Sequence, residues 1–127
     1  MRIIAVGLGP GPADLLSVRA ERILKQARRL FLRTRSHPMA DTLQAWGVAF
    51  STFDSYYEEK PTFEEVYQAI AQRLVQEARQ AGEEPVVYAV PGHPLVAERS
   101  VAYLLETAPA QGVRVEVVPG LSSAEAI

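Results

Sequence analysis

Three short segments of the sequence concentrate glycine, proline, histidine and serine: "GLGPGP" (7–12), "PGHP" (91–94) and "PGLSS" (119–123). Gly92 lets the backbone approach a ligand closely, and the flanking prolines hold that loop in one shape before anything binds. The hydroxyl groups of Ser122 and Ser123 can donate and accept hydrogen bonds, which suits a carboxylate, a ribose or an adenine edge. These residue types predict the binding of a small ligand.

The elements that would position these loops alternate along the chain. Apolar runs predict strands, and apolar residues at helical spacing predict helices. The strands are expected at 2–7, 29–34, 48–50 (the weakest), 85–90 and 113–118, and the helices at 16–27, 38–46, 62–81 and 95–105. This alternation predicts an α/β fold: a three-layer α/β/α domain with a five-stranded, mainly parallel sheet. Ligands of such sheets bind beyond the carboxyl ends of the strands, so all three loops are expected on that edge.

Several polar and aromatic residues have a structural interpretation. Thr62 and Glu65 form a capping box before the longest helix. His37 is expected to cap the helix that Pro38 opens, whereas His93 either caps a helix or contacts a ligand. Trp46 and the tyrosines are expected in the core or an interface. The segment 51–61, "STFDSYYEEKP", is predicted as a loop whose exposed aromatic residues favour self-association.

A nicotinamide dinucleotide site is disfavoured. The first loop has Gly7, Gly9 and Gly11, but Pro12 stands where the G-x-G-x-x-G pattern requires its third glycine. Proline would also remove a backbone donor from the phosphate cradle. The second predicted strand ends at Thr34-Arg35, with no acidic residue for a ribose diol.

The composition predicts one globular domain, or half of a two-domain enzyme. The 127 residues are 48% hydrophobic and 22% charged, with a net charge of −2 and no cysteine. This balance argues against a nucleic-acid partner, and two separated histidines without cysteine argue against a metal site. No apolar run is long enough to span a membrane, so a cytoplasmic location is expected.

One stretch is basic. Seven of the 13 Lys and Arg residues lie between 19 and 35: Arg19, Arg22, Lys25, Arg28, Arg29, Arg33 and Arg35. Such a run is typical of a solvated helix face, and its alternative is attraction of a polycarboxylate substrate or of RNA.

The three loops in their contexts, "IIAVGLGPGPADLLSVRAERIL", "PGHPLVAERSV" and "VPGLSSAEA", resemble the tetrapyrrole (corrin/porphyrin) methylase family. Within it, "LRTRSHP" and "VVYAVPGHPLVAERSV" are similar to the methylase-like domain that precedes MazG-type nucleotide pyrophosphohydrolases. The resemblance implies an S-adenosylmethionine-dependent methyltransferase with a small-molecule acceptor, such as a tetrapyrrole. It also implies a homodimer of two-domain subunits, with the cofactor in the cleft between domains.

Residues 1–127 would then be the N-terminal domain, incomplete and inactive without a C-terminal domain that this chain lacks. Ser122 and Glu125 form a capping box for a helix that would begin just before the last residue, Ile127, so continuation of the natural protein is expected. The positions that match cofactor-contacting residues of the family are Pro10, Pro91, Gly92, His93, Val96, Ser122 and Ser123.

Two departures from the family pattern keep a second function open. Pro12 stands at the acidic position of the family's GPGDP loop, with Asp14 nearby, and His93 replaces the acid of its GDP loop. Both changes fall at the substrate-facing mouth of the site. The alternative is therefore a non-catalytic ligand-binding or scaffolding module fused to a MazG-type nucleotide pyrophosphohydrolase.

Overall fold

The computed structural model describes residues 1–122, and it contains five parallel strands in the order β3-β2-β4-β1-β5. The strands are β1 (Arg2–Gly7), β2 (Leu30–Leu32), β3 (Ser51–Thr52), β4 (Val86–Val90) and β5 (Arg114–Val118). The helices are α1 (Val18–Gln26), α2 (Pro38–Ala45), α3 (Asp54–Glu59), α4 (Phe63–Ala81) and α5 (Arg99–Thr107), with 3-10 turns at Ala13–Leu15 and Pro109–Gln111. The predicted α/β fold is confirmed.

Helices cover both faces of the sheet. Side chains of a strand alternate between the two faces, and in β1 Ile3 packs into one hydrophobic cluster while Ile4 packs into the other. The first cluster includes the inner face of α4 and α5, and the second includes that of α1 and α2. The central strands β1 and β4 are therefore buried on both sides, which explains why both sequences are almost continuously apolar.

The helix starts follow the local sequence. Thr62 accepts a hydrogen bond from the Glu65 backbone N–H at 3.2 Å, which confirms it as the N-cap of α4, and its hydroxyl donates to the Glu65 carboxylate at 3.1 Å. Ser17 caps α1 by accepting from Ala20 N at 3.0 Å. Ser122 is described, but Glu125 is not, so the second predicted capping box lies partly outside the described residues.

The region 48–61 differs from the prediction. The third strand lies at Ser51–Thr52 rather than at 48–50, and the predicted loop contains α3. The cause is Phe53, which is 2% exposed and lies between Phe31, with ring centroids 5.5 Å apart, and Tyr88, at 5.9 Å. Insertion of this ring draws the segment onto the core and leaves Tyr56 and Tyr57 half-buried. The expectation of exposed aromatic residues here is wrong.

The helix predicted at 95–105 begins four residues later, at Arg99. Residues 93–98 instead form a turn in which Ala97 has φ 52°, a left-handed conformation that is uncommon for a residue with a side chain. This turn places Val96 and Ala97 at the carboxyl edge of the sheet. No helix within residues 1–122 is long and apolar enough to cross a bilayer.

Candidate functional site

The three loops meet at the carboxyl edge of β1, β4 and β5, as predicted. Gly9 N donates to Gly92 O at 3.1 Å, and Gly92 N donates to Gly9 O at 3.0 Å, forming a small antiparallel bridge between the first and second loops. Just before it, Leu8 N donates to Val90 O at 2.8 Å. The backbones of two loops are thus fixed to each other before any ligand is present.

The third loop joins them through glycine contacts. A Cβ added to Gly7 would lie 2.5 Å from Gly92 O and 2.6 Å from Gly120 N. These distances are shorter than any side-chain carbon tolerates, so only glycine permits this approach. Gly92 is glycine for another reason: its φ is +67°, while a Cβ there would meet its nearest atoms at 3.9 Å.

His37 ties the start of α2 to the first loop. Its Nδ1 accepts from Met39 N at 3.0 Å, and its Nε2 donates to Gly9 O at 2.8 Å. Both bonds require the neutral ring with its proton on Nε2. Burial lowers the pKa of His37, the bond to Gly9 opposes this, and the charge of Arg33 lowers the pKa further. The predicted capping role of His37 is confirmed.

His93 occupies a comparable position in the second loop. Its Nδ1 accepts from Leu95 N at 3.0 Å, which stabilises the turn after β4. The ring is half-buried and also lines two cavities. Capping and ligand contact are therefore compatible at this residue.

Two cavities lie on either side of His93. The first, here called the Arg33 cavity, has a volume of about 340 Å³ and is bounded by Arg33, Gly92, His93, Val96, Glu98 and Ser122, among others. The second, the Leu121 cavity, has a volume of about 460 Å³ and is bounded by Leu15, Leu16, Ser17, His93, Gly120 and Leu121. The first cavity contains charged side chains, and the second is mainly apolar.

The predicted cofactor residues are distributed unevenly over this region. The Arg33 cavity brings together five of the seven: Pro91, Gly92, His93, Val96 and Ser122. Pro10 follows the Gly9–Gly92 bridge and is half-buried, but it does not border either cavity in the described part of the chain. Ser123 lies outside the described residues.

Sequence reasoning missed the two charged residues of the Arg33 cavity. Arg33 Nη1 lies 3.1 Å from Glu98 Oε1, and the side chains are 24% and 3% exposed. The sequence pattern assigns Arg33 to a solvated basic run and Glu98 to the interior of a helix. The signal for Arg33 is its place directly after the apolar run Leu30–Leu32, because the carboxyl end of a parallel strand lies at the ligand edge. The predicted strand, 29–34, extends past this point and includes Arg33.

Besides its ion pair with Arg33, Glu98 is held by hydrogen bonds from a chain of two hydroxyl groups. Ser100 Oγ donates to Glu98 Oε2 at 2.7 Å, and Ser100 Oγ lies 2.7 Å from the Tyr88 hydroxyl. Since the single Ser100 proton goes to the carboxylate, Tyr88 must donate to Ser100. Burial raises the pKa of Tyr88 well above its ordinary value, so it remains a donor.

Tyr57 shares this electrostatic environment from the α3 side. Burial raises the pKa of Tyr57 to about 12, while the charge of Arg33 acts in the opposite direction.

In residues 1–122 no cluster of three His, Asp or Glu side chains is arranged to hold a metal ion. The charged and polar side chains of the Arg33 cavity can recognise a ligand by charge and hydrogen bonding.

The family model of the tetrapyrrole (corrin/porphyrin) methylases matches residues 2–127. The chain belongs to the tetrapyrrole methylase family. The Bacillus subtilis (strain 168) protein YabN is 41% identical to it over 125 residues, which are 98% of this chain and 25% of YabN.

Solved structures share the fold. Diphthine synthase matches 99% of this chain with a TM-score of 0.74 and 22% identity, so that likeness concerns the fold alone. Uroporphyrin-III C-methyltransferase from Thermus thermophilus, solved in complex with S-adenyl homocysteine, matches 97% with a TM-score of 0.68 and 28% identity. The chain covers 47% and 46% of those two proteins and a quarter of YabN.

Proposed function

We propose that this chain forms one wall of an S-adenosylmethionine site in a methyltransferase, and that the region following it in the intact protein forms the other wall. The observation that carries the proposal is the convergence of three glycine-containing loops at one sheet edge, with two cavities that share His93. Membership of the methylase family and the ligand named for the Thermus thermophilus relative support it.

The residues present suit the chemistry of this cofactor. A methionine moiety requires partners for a carboxylate and an ammonium group, and an adenosine moiety requires an apolar cleft with a few polar contacts. The Arg33 cavity offers a guanidinium and is also bordered by Ser122, and the Leu121 cavity offers an apolar surface. Pro10, Pro91, Gly92, His93, Val96, Ser122 and Ser123 are the proposed contact residues.

The contribution of this chain to catalysis would be alignment. The bound cofactor supplies an electrophilic methyl group on a sulfonium, and transfer requires the acceptor, the methyl carbon and the sulfur to be in line. Fixing the reactants in this geometry can supply much of the rate acceleration. The bridge between Gly9 and Gly92 and the Gly7–Gly120 contact keep the loops in place for this purpose.

The acceptor is proposed to be a small molecule, such as a tetrapyrrole. Because Pro12 and His93 replace acidic residues at the mouth of the site, we expect an acceptor different from that of typical family members. The second candidate is a non-catalytic ligand-binding or scaffolding module fused to a MazG-type nucleotide pyrophosphohydrolase. The absence of both loop acids, at Pro12 and at His93, favours this second candidate.

Calorimetry on the intact protein tests the proposal. We expect S-adenosylmethionine and S-adenosylhomocysteine to bind with micromolar affinity. Val96→Trp should abolish binding, because Val96 is 51% exposed and borders the Arg33 cavity. Leu95→Trp is the matched control: Leu95 is 59% exposed but borders neither cavity. Gly92→Trp would also fill the cavity, but it would add backbone strain at φ +67°.

The outcomes separate the two candidates. The cofactor site is supported if the wild-type protein binds the cofactor, Val96→Trp abolishes this binding and Leu95→Trp preserves it. Absence of binding by the intact wild-type protein would reject the methyltransferase proposal and favour the scaffolding module.

The homodimer also stays a prediction. The exposed apolar side chains of the described residues, such as Val18 at 74% and Phe63 at 68%, are candidates for its interface. Light scattering of the intact protein over a wide concentration range tests it, and a constant monomer mass would reject it.

A further inference from the structure

Arg33 carries the fixed positive charge of the Arg33 cavity. It follows the last residue of β2, and its backbone N–H donates to Ala89 O at 3.0 Å, so its main chain is held by the sheet at the ligand edge. Its side chain is 24% exposed, whereas that of its partner Glu98 is 3% exposed. A ligand entering the cavity therefore meets the arginine, and the carboxylate lies behind it.

The surroundings of Arg33 are not arranged for stability. Its Nε is buried and has no hydrogen-bond partner among the described residues. A buried donor without a partner is destabilising, and a buried ion pair is itself a weak source of stability. Ala97, in the same cavity, has the unfavourable φ of 52°. Such locally destabilising features, when several lie around one cavity, are characteristic of binding sites.

Glu98 fixes the guanidinium. Both of its oxygens are engaged, Oε1 by Arg33 and Oε2 by Ser100, and Tyr88 supports Ser100 from the core. A guanidinium carries five N–H donors, and the pair with Glu98 uses those of one nitrogen. The nearby carboxylate of Asp54 is engaged elsewhere, by the Thr34 hydroxyl at 2.7 Å and by Arg35 N at 2.8 Å.

We propose that Arg33 binds a carboxylate of the ligand in this cavity, and that Glu98 is its positioning residue. The inference rests on the proposed function and extends it to one recognition contact. The carboxylate can belong to the methionine moiety of the cofactor or to the methyl acceptor. Both are the same chemistry for a guanidinium, which pairs with planar oxyanions through two parallel hydrogen bonds.

The test uses the intact protein and three probes. S-adenosylhomocysteine has the amino-acid carboxylate, 5′-methylthioadenosine lacks it, and uroporphyrin III is a polycarboxylate without a nucleoside. The variants are Arg33→Met and, as control, Arg35→Met, because Arg35 is exposed and borders a different surface.

A cofactor contact predicts that Arg33→Met weakens S-adenosylhomocysteine binding roughly 10- to 100-fold and leaves 5′-methylthioadenosine unchanged. An acceptor contact predicts that both nucleosides bind normally while uroporphyrin III weakens by a similar factor. Arg35→Met should leave all three affinities unchanged. Equal binding of all probes by wild type and Arg33→Met would overturn the inference, as would a uniform loss that includes 5′-methylthioadenosine.

Arg33→Met leaves Glu98 buried without its partner, so a second comparison guards against misfolding. The double variant Arg33→Met/Glu98→Gln is compared with Glu98→Gln alone, so that the arginine is the difference, and thermal unfolding reports the folded state. The same selective loss is expected. If the wild-type protein binds neither nucleoside, the proposed function is refuted, and uroporphyrin III binding then decides the inference about Arg33. The inference is overturned if Arg33→Met binds uroporphyrin III as the wild type does. It is also overturned if the wild type does not bind uroporphyrin III.

Discussion

The backbones of Gly7 and Gly120 are in direct contact, because neither residue has a side chain. A Cβ on Gly7 would lie 2.6 Å from Gly120 N, and one on Gly120 would lie 2.7 Å from the carbonyl carbon of Gly7. The contact joins the end of β1 to the segment after β5, and these strands are neighbours in the sheet. The shape of the candidate site therefore depends on the absence of one carbon atom at each position.

We expect Gly7→Ala to lower the free energy of unfolding by about 3 kcal/mol, because the methyl group would overlap backbone that cannot move freely. Gly112→Ala is the control. Gly112 has φ +76° and lies in the left-handed α region, and a methyl group added to it would make ordinary contact with the end of the Met1 side chain at 3.8 Å, so its substitution carries the conformational cost alone, about 1 kcal/mol. Urea denaturation measures both, and equal losses would contradict the steric explanation.

Stability should depend on the ionisation of His37. Its pKa in the folded protein lies below the ordinary value of 6.5, with burial as the largest cause. The unfolded chain therefore takes up the proton first, so the stabilisation is complete above about pH 6.5 and declines as the pH falls toward the folded-state pKa. Protonation of His37 also places a proton on Nδ1, which then can no longer accept the hydrogen bond from Met39 N.

His37→Asn keeps a capping side chain at the start of α2 and removes the titration. The decrease in unfolding free energy between pH 7 and pH 5 should be smaller in this variant than in the wild type. Ser36→Asn, which changes the exposed neighbour and leaves His37 in place, should retain the wild-type decrease. An unaltered pH dependence in His37→Asn would show that other groups are responsible.

The hydrogen-bond chain behind Arg33 predicts unequal effects of two conservative changes. Tyr88→Phe removes the terminal donor and leaves the Ser100–Glu98 bond intact, so we expect a loss of about 1 kcal/mol in unfolding free energy. Ser100→Ala leaves both the Tyr88 hydroxyl and a Glu98 oxygen without their partner, and about 3 kcal/mol is expected. Denaturation of both variants checks the order, and a larger loss for Tyr88→Phe would contradict the assigned direction of donation.

The sheet could be predicted because its central strands satisfy a simple rule. β1 and β4 are covered on both faces, so their sequences are continuously apolar and end at glycine or proline. The start of α4 followed from the Thr62–Glu65 capping box. The position of β3 did not follow, since two residues carry almost no pattern and the burial of Phe53 decides their place.

The loops of the candidate site could be located from the sequence, but its charges could not. Glycine and proline mark the three loops by themselves. Arg33 and Glu98 are far apart in the sequence and meet because β2 and β4 are adjacent. Local patterns place Arg33 among solvated basic residues, and only the tertiary fold distinguishes it from Arg35.

The last prediction concerns cofactor binding by residues 1–127 alone. The Arg33 and Leu121 cavities lie on the surface of this chain, and the chain covers less than half of the solved family structures. Small-molecule sites normally enclose most of their ligand, and exposure to water weakens the polar contacts that remain. If each wall contributes comparably, a micromolar site becomes about millimolar, a loss of roughly 4 kcal/mol.

We therefore expect the isolated chain to bind S-adenosylmethionine at best with millimolar affinity and to transfer no methyl group, whereas the intact protein binds it in the micromolar range. Calorimetry on both proteins, with circular dichroism to verify that the isolated chain is folded, provides the comparison. Because the Gly9–Gly92 bridge and the Gly7–Gly120 contact are internal to this chain, its loops should keep their shape without the second wall. Micromolar binding to residues 1–127 would show that these loops are sufficient and that the second wall is dispensable for cofactor recognition.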